Sequence, residues 1–409
     1  MIVLYILLAI VILLVMVVIH EFGHYVAGKL LKFKINEFSV GFGPKIFSKK
    51  KKNGEVFSLR AIPLGGFCAF EGETESDADK LLAPQSTEDT NAVSGEENTS
   101  VSPQISADES VEKENADTEK SNVPTENSEE PIETEKPRSF MDEKPWKRII
   151  VLIAGGVFNL VSAVIFSIFF IAIVGYATPT VVERYVSPDT GNIYCEALRE
   201  GDEIIAVNGK NINVMNSFED YTSKLKAGDK VVLTVIRNGE KLPVELLYQT
   251  IKPSEEAEAY TGFGFMSESK YGNQKFGKRL GDAFVYCVPF TAKLSWTILG
   301  SFFQLFTGKV PITDISGPIG TVGMMAEITQ MDWRNIFILL PLIASNLGLF
   351  NLLPIPALDG SKVVFTVIEW IRRKPINRKV EGYIHTIGIL VLMALVVIVD
   401  VVNLILRFV

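Results

Sequence analysis

The chain has 409 residues, of which 47% are hydrophobic and 22% charged, with a mean hydropathy of +0.25 and a formal net charge of −8. This composition is too apolar for an ordinary soluble protein, and it lacks the basic stripe with interleaved aromatic residues that nucleic-acid binding needs. The acidity is local, because residues 71–137 hold 20 Asp and Glu against four Lys and the rest of the chain is cationic. Three widely spaced cysteines exclude a disulfide framework and a cysteine metal site.

The first segment, residues 1–28, is predicted to be a transmembrane helix that ends in a zinc-binding motif. Residues 2–19 carry no charge and are long enough to cross a bilayer. They lack a basic start and a cleavage site, which favours a retained span over a signal peptide. His20, Glu21 and His24 then form H-E-x-x-H, in which the two imidazoles share one helix face and the glutamate is a general base. A chance match near a polar helix end is the alternative.

Three further spans are predicted at residues 149–176, 334–360 and 384–408. The Lys- and Arg-rich segments between the spans are cytoplasmic by the positive-inside rule, which gives four spans with both ends of the chain outside. Residues 283–306 are apolar but contain Lys293. A fifth span there would reverse the orientation of every later span and place the Lys- and Arg-rich segment after the third span outside. We therefore expect an amphipathic helix on or in the outer leaflet. The predicted fold is a polytopic α-helical membrane protein with four transmembrane helices.

Two segments between the first two predicted spans have different characters. Residues 29–71 are expected to be a cytoplasmic-side loop with a membrane-associated β-hairpin, in which residues 56–70 form two short strands around a Pro/Gly turn. Gly66 and Phe67 would lie on an exposed edge that holds extended substrate. Residues 72–137 form an acidic insert that cannot bury enough apolar surface to fold, so we predict disorder. A tolerated insertion without a specific role is the simpler interpretation of this insert.

Residues 180–250 are predicted to be a β-rich domain outside the membrane, between the second and third spans. Its run Gly201–Gly209 is a strand closed by an Asn-Gly turn and resembles a PDZ-domain strand. PDZ domains capture extended peptides at a sheet edge. A generic small β domain is the alternative. The predicted elements are strands Thr180–Val186, Glu203–Val207, Lys230–Arg237 and Leu242–Leu247, and a helical stretch at Phe218–Leu225.

Asp359 is the strongest candidate for a third metal ligand, because catalytic zinc needs three protein ligands and an open position. It lies in the segment 351–360, where Pro354 and Pro356 interrupt the helix. Irregular backbone at membrane depth is tolerated only inside protein or beside a wet cavity. The remaining histidine, His385, has no partner motif. A simple turn at a helix end is the alternative for this segment, and a His₂Asp set favours zinc.

Together these motifs resemble the site-2 protease family, most closely the bacterial RseP/RasP type of regulated intramembrane zinc protease with a single PDZ domain. Further matching runs are Gly41–Pro44, Ile62–Gly66 and Ser316–Gly320. The resemblance implies that His20, His24 and Asp359 bind Zn²⁺ and that Glu21 is the base. It also implies that Asn346 and Asn351 hold substrate backbone and that Asn159 lies near the site, and Asn159 and Pro354 are grouped with them as substrate-binding residues. Gly156 departs from the family, which usually has proline there.

The implied activity is cleavage of transmembrane segments of single-span proteins, such as anti-sigma factors trimmed by another protease and signal-peptide remnants, in the cytoplasmic membrane. A non-catalytic PDZ adaptor with a structural zinc site is the alternative, although Glu21 argues against it. A zinc transporter is disfavoured because the sequence shows no internal repeat and only one intramembrane cluster of ionisable residues.

Overall fold

The computed structural model describes residues 2–73, 139–188, 190–252, 258–271, 274–307 and 317–406. The helices are α1 Ile2–Leu30, α2 Pro145–Ile173, α3 Phe218–Thr222, α4 Phe276–Phe306, α5 Pro318–Met331, α6 Ile336–Leu352, α7 Asp359–Arg372 and α8 Arg378–Leu406. The strands are β1 Ile35–Lys50, β2 Val56–Phe70, β3 Ala177–Arg184, β4 Glu203–Val207, β5 Lys210–Asn211, β6 Lys230–Arg237, β7 Glu240–Leu247, β8 Gln249–Ile251, β9 Tyr260–Gly262 and β10 Phe265–Tyr271. Most of the acidic insert lies outside the described residues.

Five of the described helices, α1, α2, α4, α6 and α8, are long and apolar enough to span a membrane. This agrees with a membrane protein, whereas the predicted count of four spans remains a prediction. Within the predicted segment 334–360, helix α6 ends at Leu352, before the two prolines, and Asp359 begins the separate helix α7. The predicted helix at residues 283–306 is part of the longer helix α4.

Helices α1, α2 and α6 pack with almost no side chains between their backbones. A Cβ atom on Gly23 of α1 would lie 2.9 Å from the carbonyl carbon of Ala154 on α2. A Cβ atom on Gly156 of α2 would lie 2.9 Å from the carbonyl oxygen of Gly348 on α6. Small residues allow this close approach in membrane helix pairs, where dispersion contacts are a main source of association.

Strands β1 and β2 form a small sheet beside the last turns of α1. Residues 56–70 are one strand and not the two predicted short strands, but this strand bends. Val40 of β1 pairs with both Gly66 and Leu59, so residues 37–40 lie between the two halves of β2. The bend includes Gly65, whose φ of 96° is accessible to glycine at little cost. Residues 66–70 consequently lie along one edge of the sheet.

The β-rich unit is larger than the predicted 180–250. Its sheet has the order β10-β3-β4-β6-β7, with β5 paired to β4, so it includes residues 177–271 of the described chain. The pairing of Tyr271 with Ala177 brings the ends of the unit together. The predicted Asn-Gly turn is confirmed, because Asn208 and Gly209 have φ values of 48° and 74° and join β4 to β5.

A buried ion pair fixes the start of β4 to the end of β6. Both carboxylate oxygens of Asp202 accept hydrogen bonds from Arg237, from Nε at 2.8 Å and from Nη2 at 2.6 Å. The main-chain amide of Arg199 donates a third, at 2.8 Å. Burial raises the pKa of Asp202, but these hydrogen bonds outweigh it and hold the pKa below its usual value.

Replacing Arg237 by Met should destabilise the β-rich unit by about 3 kcal/mol, because a buried carboxylate loses its partner. Hydrogen exchange of the β4 and β6 amides at pH 7 measures this loss. Since the pKa of Asp202 is lowered on folding, the stabilisation is present above about pH 4 and is lost as the pH falls further. Arg199→Met is the matched control, because Arg199 donates a hydrogen bond to Asp202 only through its main chain and its charge acts more weakly on this carboxylate than that of Arg237. Equal exchange in both variants would contradict the prediction.

Candidate metal centre

His20, His24 and Asp359 converge on one point between α1 and the start of α7. The Nε2 atoms of the two histidines are 3.2 Å apart, and the Oδ2 atom of Asp359 is 2.9 Å from His20 Nε2 and 3.2 Å from His24 Nε2. A tetrahedral zinc ion bound at about 2.0–2.1 Å separates its ligand atoms by about 3.3 Å. The triangle of donor atoms therefore has the dimensions of one face of such a site.

The environment of His24 requires a cation or a proton at this point. Its Nδ1–H donates a hydrogen bond to the carbonyl oxygen of Val151 at 2.8 Å, which leaves the lone pair of the neutral ring on Nε2. That lone pair faces the carboxylate oxygen of Asp359 at 3.2 Å. Two acceptors do not stabilise each other, whereas a bound cation would satisfy both. The donor set therefore fits zinc, and Val151 fixes the ring in the required tautomer.

Asn159 contacts Nδ1 of His20, the ring nitrogen that does not face Asp359. It is fully buried, its side-chain nitrogen is 3.3 Å from His20 Nδ1, and its Oδ1 has no partner among the described residues. The oxygen and nitrogen of an amide are assigned from the hydrogen-bond network. With the two exchanged, Oδ1 accepts the Nδ1–H of His20 and leaves His20 Nε2 free to bind metal. The prediction that Asn159 contacts substrate is corrected, because no substrate reaches a fully buried amide.

The turn between α6 and α7 places Asp359 against the histidines. Ala357 has a φ of 84°, a left-handed conformation that costs an alanine of order 1 kcal/mol. Gly360 follows Asp359, and a Cβ atom there would lie 2.6 Å from the carbonyl carbon of Leu353. The start of α7 can therefore fold back onto the end of α6 only without a side chain at this position.

Glu21 lies between two cavities that meet at the three candidate metal ligands. One, of about 240 Å³, is lined by His20, Glu21, Asn351, Ala357 and Asp359 among others. The other, of about 280 Å³, is lined by Glu21, His24 and Asp359 together with Phe67 and Lys362. Glu21 therefore borders two spaces that water can occupy beside the triangle of donor atoms.

An apolar groove of about 460 Å³ leads to the smaller of these cavities. It shares Val17 and Leu347 with that cavity, so the two are contiguous. Its walls come from helices α1, α5 and α6, and its lining includes Ile10, Leu14, Thr321, Val322, Asn346 and Phe350. The groove extends along α1 away from the ligands and has Gly65 at its edge.

The predicted substrate-binding residues fall into different places. Asn346 is exposed in the apolar groove, and Asn351 is half-buried beside the ligands, where its amide donates to the carbonyl oxygen of Leu347 at 3.0 Å. A Cβ atom on Gly66 would lie 3.4 Å from Cγ of Glu21, and Phe67 lines the second cavity. Pro354 is exposed and lines neither the groove nor the two cavities, so a substrate contact there is unsupported.

Sequence reasoning missed two ion pairs that hold this end of the bundle. Lys362, one turn after Asp359, donates to Glu73 at 2.8 Å, and Arg148 of α2 donates to Glu369 of α7 at 2.8 Å. Each pair joins α7 to a distant part of the chain. The spacing of Lys362 from Asp359 on one helix face was a usable signal, whereas nothing local indicates either partner.

Comparison with known proteins identifies the family of this chain. The model of peptidase family M50 matches residues 8–395, so the chain belongs to this family. It is 28% identical to the regulator of sigma-W protease RasP of Bacillus subtilis over 94% of both chains. It is also 28% identical to the zinc metalloprotease RasP of Bacillus licheniformis, again over 94% of each. The chain is a zinc metalloprotease with Zn²⁺ as its cofactor, and the adaptor alternative is not favoured.

Gly155 lies where α2 meets the two histidines, and no side chain fits there. A Cβ atom there would meet His24 Nε2 and would lie 2.8 Å from His20 Nε2. Gly155→Ala should therefore lower zinc affinity at least tenfold by displacing the imidazoles, as measured by zinc content per chain at buffered free zinc. Gly281→Ala on α4 is the control, since nothing lies within 4 Å of a Cβ atom there. Wild-type zinc affinity in Gly155→Ala would refute the geometry.

Proposed function

We propose that this protein cleaves the transmembrane segments of single-span membrane proteins, including anti-sigma factors trimmed by another protease and signal-peptide remnants. The observation that carries this proposal is the apolar groove that is contiguous with the ligand cavity. A soluble peptide would not need an approach lined by aliphatic side chains of membrane-type helices. The sigma factor in the name of the Bacillus subtilis relative supports an anti-sigma substrate.

His20, His24 and Asp359 are the proposed zinc ligands, and Glu21 is the proposed general base. A zinc ion held there supplies the Lewis acidity that acidifies a water molecule and polarises a peptide carbonyl. Glu21 takes the proton from the attacking water and returns it to the leaving amine nitrogen. Its place between two cavities beside the ligands suits both transfers.

The sheet edge at residues 66–70 is proposed to hold the substrate extended. A helical substrate hides its carbonyl groups in internal hydrogen bonds, so it must unwind locally before attack. A strand edge offers replacement hydrogen bonds to an extended peptide. Gly66 brings this edge against Glu21, and Asn351 on the opposite side has an amide oxygen that can accept a substrate N–H. The scissile bond would lie between them.

We infer that the active site lies near the cytoplasmic face of the cell membrane and the β-rich unit lies outside. Helix α4 contacts Ile173 at the end of α2 through Arg279, and it contacts Phe350 near the end of α6 through Phe302. Helix α5, about 21 Å long, is too short to span a bilayer. We therefore propose that α4 and α5 enter and leave the membrane on the same side as a re-entrant pair. The Lys- and Arg-rich segment after α6 then stays cytoplasmic, as the positive-inside rule requires.

The β-rich unit is proposed to be a PDZ-like domain that docks or filters substrates. Strand β10 is at the edge of its sheet, which leaves one side available for peptide addition. Lys293 of α4 donates to Asp220 of α3 at 2.7 Å and to the carbonyl oxygen of Met215 at 2.8 Å. These contacts fix the unit against the helix that leads towards the ligand end of the bundle.

Glu21→Gln should retain zinc but lose cleavage by at least a hundredfold, because the amide cannot accept the proton. Asp359→Ala should lose both zinc and cleavage. The measurement is cleavage of a tagged single-span substrate in reconstituted vesicles, with zinc content assayed in the same preparations. Asp332→Asn, in the turn before α6, is the control and should retain both. Undiminished cleavage by a zinc-loaded Glu21→Gln protein would exclude Glu21 as the base.

Filling the apolar groove should block membrane substrates selectively. Thr321→Trp, whose side chain enters the groove, should slow cleavage of the single-span substrate at least tenfold and leave cleavage of a short soluble peptide within about twofold. Met324→Trp on the same helix is the control, because Met324 is 48% exposed and does not line the groove. Equal effects of Thr321→Trp on both substrates would reject the groove as the approach of the transmembrane segment.

A further inference from the structure

The end of β1 and the turn that follows it carry a concentration of positive charge that the described residues around them do not balance. Residues 49–52 are four consecutive lysines, here called the lysine turn, and all are exposed. Lys51 contacts Glu55 at 3.6 Å, but no carboxylate among the described residues pairs with Lys49, Lys50 or Lys52. Residues 29–55 hold eight Lys against two Glu, so the excess belongs to the whole region.

The lysine turn is held against the end of the most apolar helix. Lys51 donates to the hydroxyl of Tyr25 at 3.2 Å, and Lys29 donates to Glu55 at 2.9 Å. Tyr25 and Lys29 lie in the last two turns of α1, whose residues 2–19 carry no charge. The edge of the bilayer must lie close to this helix end, and the turn is therefore placed at the level of lipid headgroups.

Beside these lysines lie apolar side chains that are largely uncovered by the residues that the structure describes. Ile46 and Phe47, on β1 just before the turn, are 68% and 58% exposed. Leu59, which pairs with Phe47 on the adjacent strand, is 46% exposed. Exposed aliphatic and aromatic side chains next to lysines are typical of surfaces that lie in the membrane interface, where the apolar groups enter the acyl region and the ammonium groups meet phosphates.

We propose that the lysine turn, together with Ile46 and Phe47, is a docking surface for anionic phospholipid headgroups. Lys49, Lys50 and Lys52 bind the phosphate groups, and the two apolar residues anchor the strand among the acyl chains. Juxtamembrane lysines attract anionic lipids in an additive and salt-sensitive way. The surface thereby fixes the depth of the β1–β2 sheet, and this inference does not depend on the proposed substrates.

Native mass spectrometry of the full chain, from micelles with equal phosphatidylglycerol and phosphatidylcholine, tests the proposal. The triple variant Lys49→Gln, Lys50→Gln, Lys52→Gln should retain at least fivefold less phosphatidylglycerol than wild type, with phosphatidylcholine unchanged. The matched control replaces Lys210, Lys224 and Lys226, three exposed lysines of the β-rich unit, by Gln and should behave as wild type. Equal phosphatidylglycerol retention in the lysine-turn variant and wild type would overturn the proposal.

The acidic residues of the chain's own insert are the competing occupant, and a second measurement separates them from lipid. Carbodiimide joins amines to carboxylates in direct contact. In phosphatidylglycerol nanodiscs, the lysine turn should give no cross-link to residues 74–138, and removal of those residues should leave the phosphatidylglycerol difference between wild type and the lysine-turn variant unchanged. Abundant cross-links from the lysine turn to that segment, or loss of the difference on its removal, would assign the surface to the insert and reject the lipid.

Discussion

The close approach of three helix backbones at the level of the ligands is the constraint on which the rest of this structure depends. Gly23, Gly156 and Gly348 let α1, α2 and α6 meet without side chains between them, and Gly155 leaves the space that the imidazoles occupy. Helix α7 follows α6 through a tight turn, so the position of Asp359 relative to α1 is set by packing elsewhere in the bundle. A larger residue at any of these positions would move a candidate ligand atom by a distance comparable with the small range over which metal–ligand bond lengths vary.

A group of ionisable side chains lies at the end of the bundle that holds the candidate metal ligands, and most of them have a specific partner. His24 is oriented by Val151, and the ion pairs Arg148–Glu369 and Lys362–Glu73 tie α7 to α2 and to the end of the small sheet. Unpaired polar groups in such surroundings cost several kcal/mol, so these partners allow a hydrophilic site to exist beside an apolar groove. In the proposed mechanism, an apolar helix and water thus reach the same residues from different directions.

The parts of the fold that short sequence patterns control were predictable, and the parts that distant pairing controls were not. The positions of His20, His24 and Asp359 followed from helical periodicity and from two prolines, and the Asn208–Gly209 turn followed from its dipeptide. Strand β10 was missed because it pairs with β3 across most of the β-rich unit, and no local pattern reveals such a partner. The bend in β2 and the left-handed Ala357 were equally hidden, because the surrounding structure and not the residue type imposes them.

The sheet edge gives a physical account of how unwinding and hydrolysis could be coupled. Opening one turn of a substrate helix in apolar surroundings frees several backbone groups, each of which is costly without a partner. Residues 66–70 offer a row of such partners, and Gly66 approaches Glu21 closely because it has no side chain. In the proposed mechanism the helix can therefore unwind at low cost only where the base and the ligands are within reach. In this proposed mechanism a transmembrane segment that stays in the groove would keep its own hydrogen bonds and would not be cut, so selectivity for helices that unwind readily would follow from the placement of one strand.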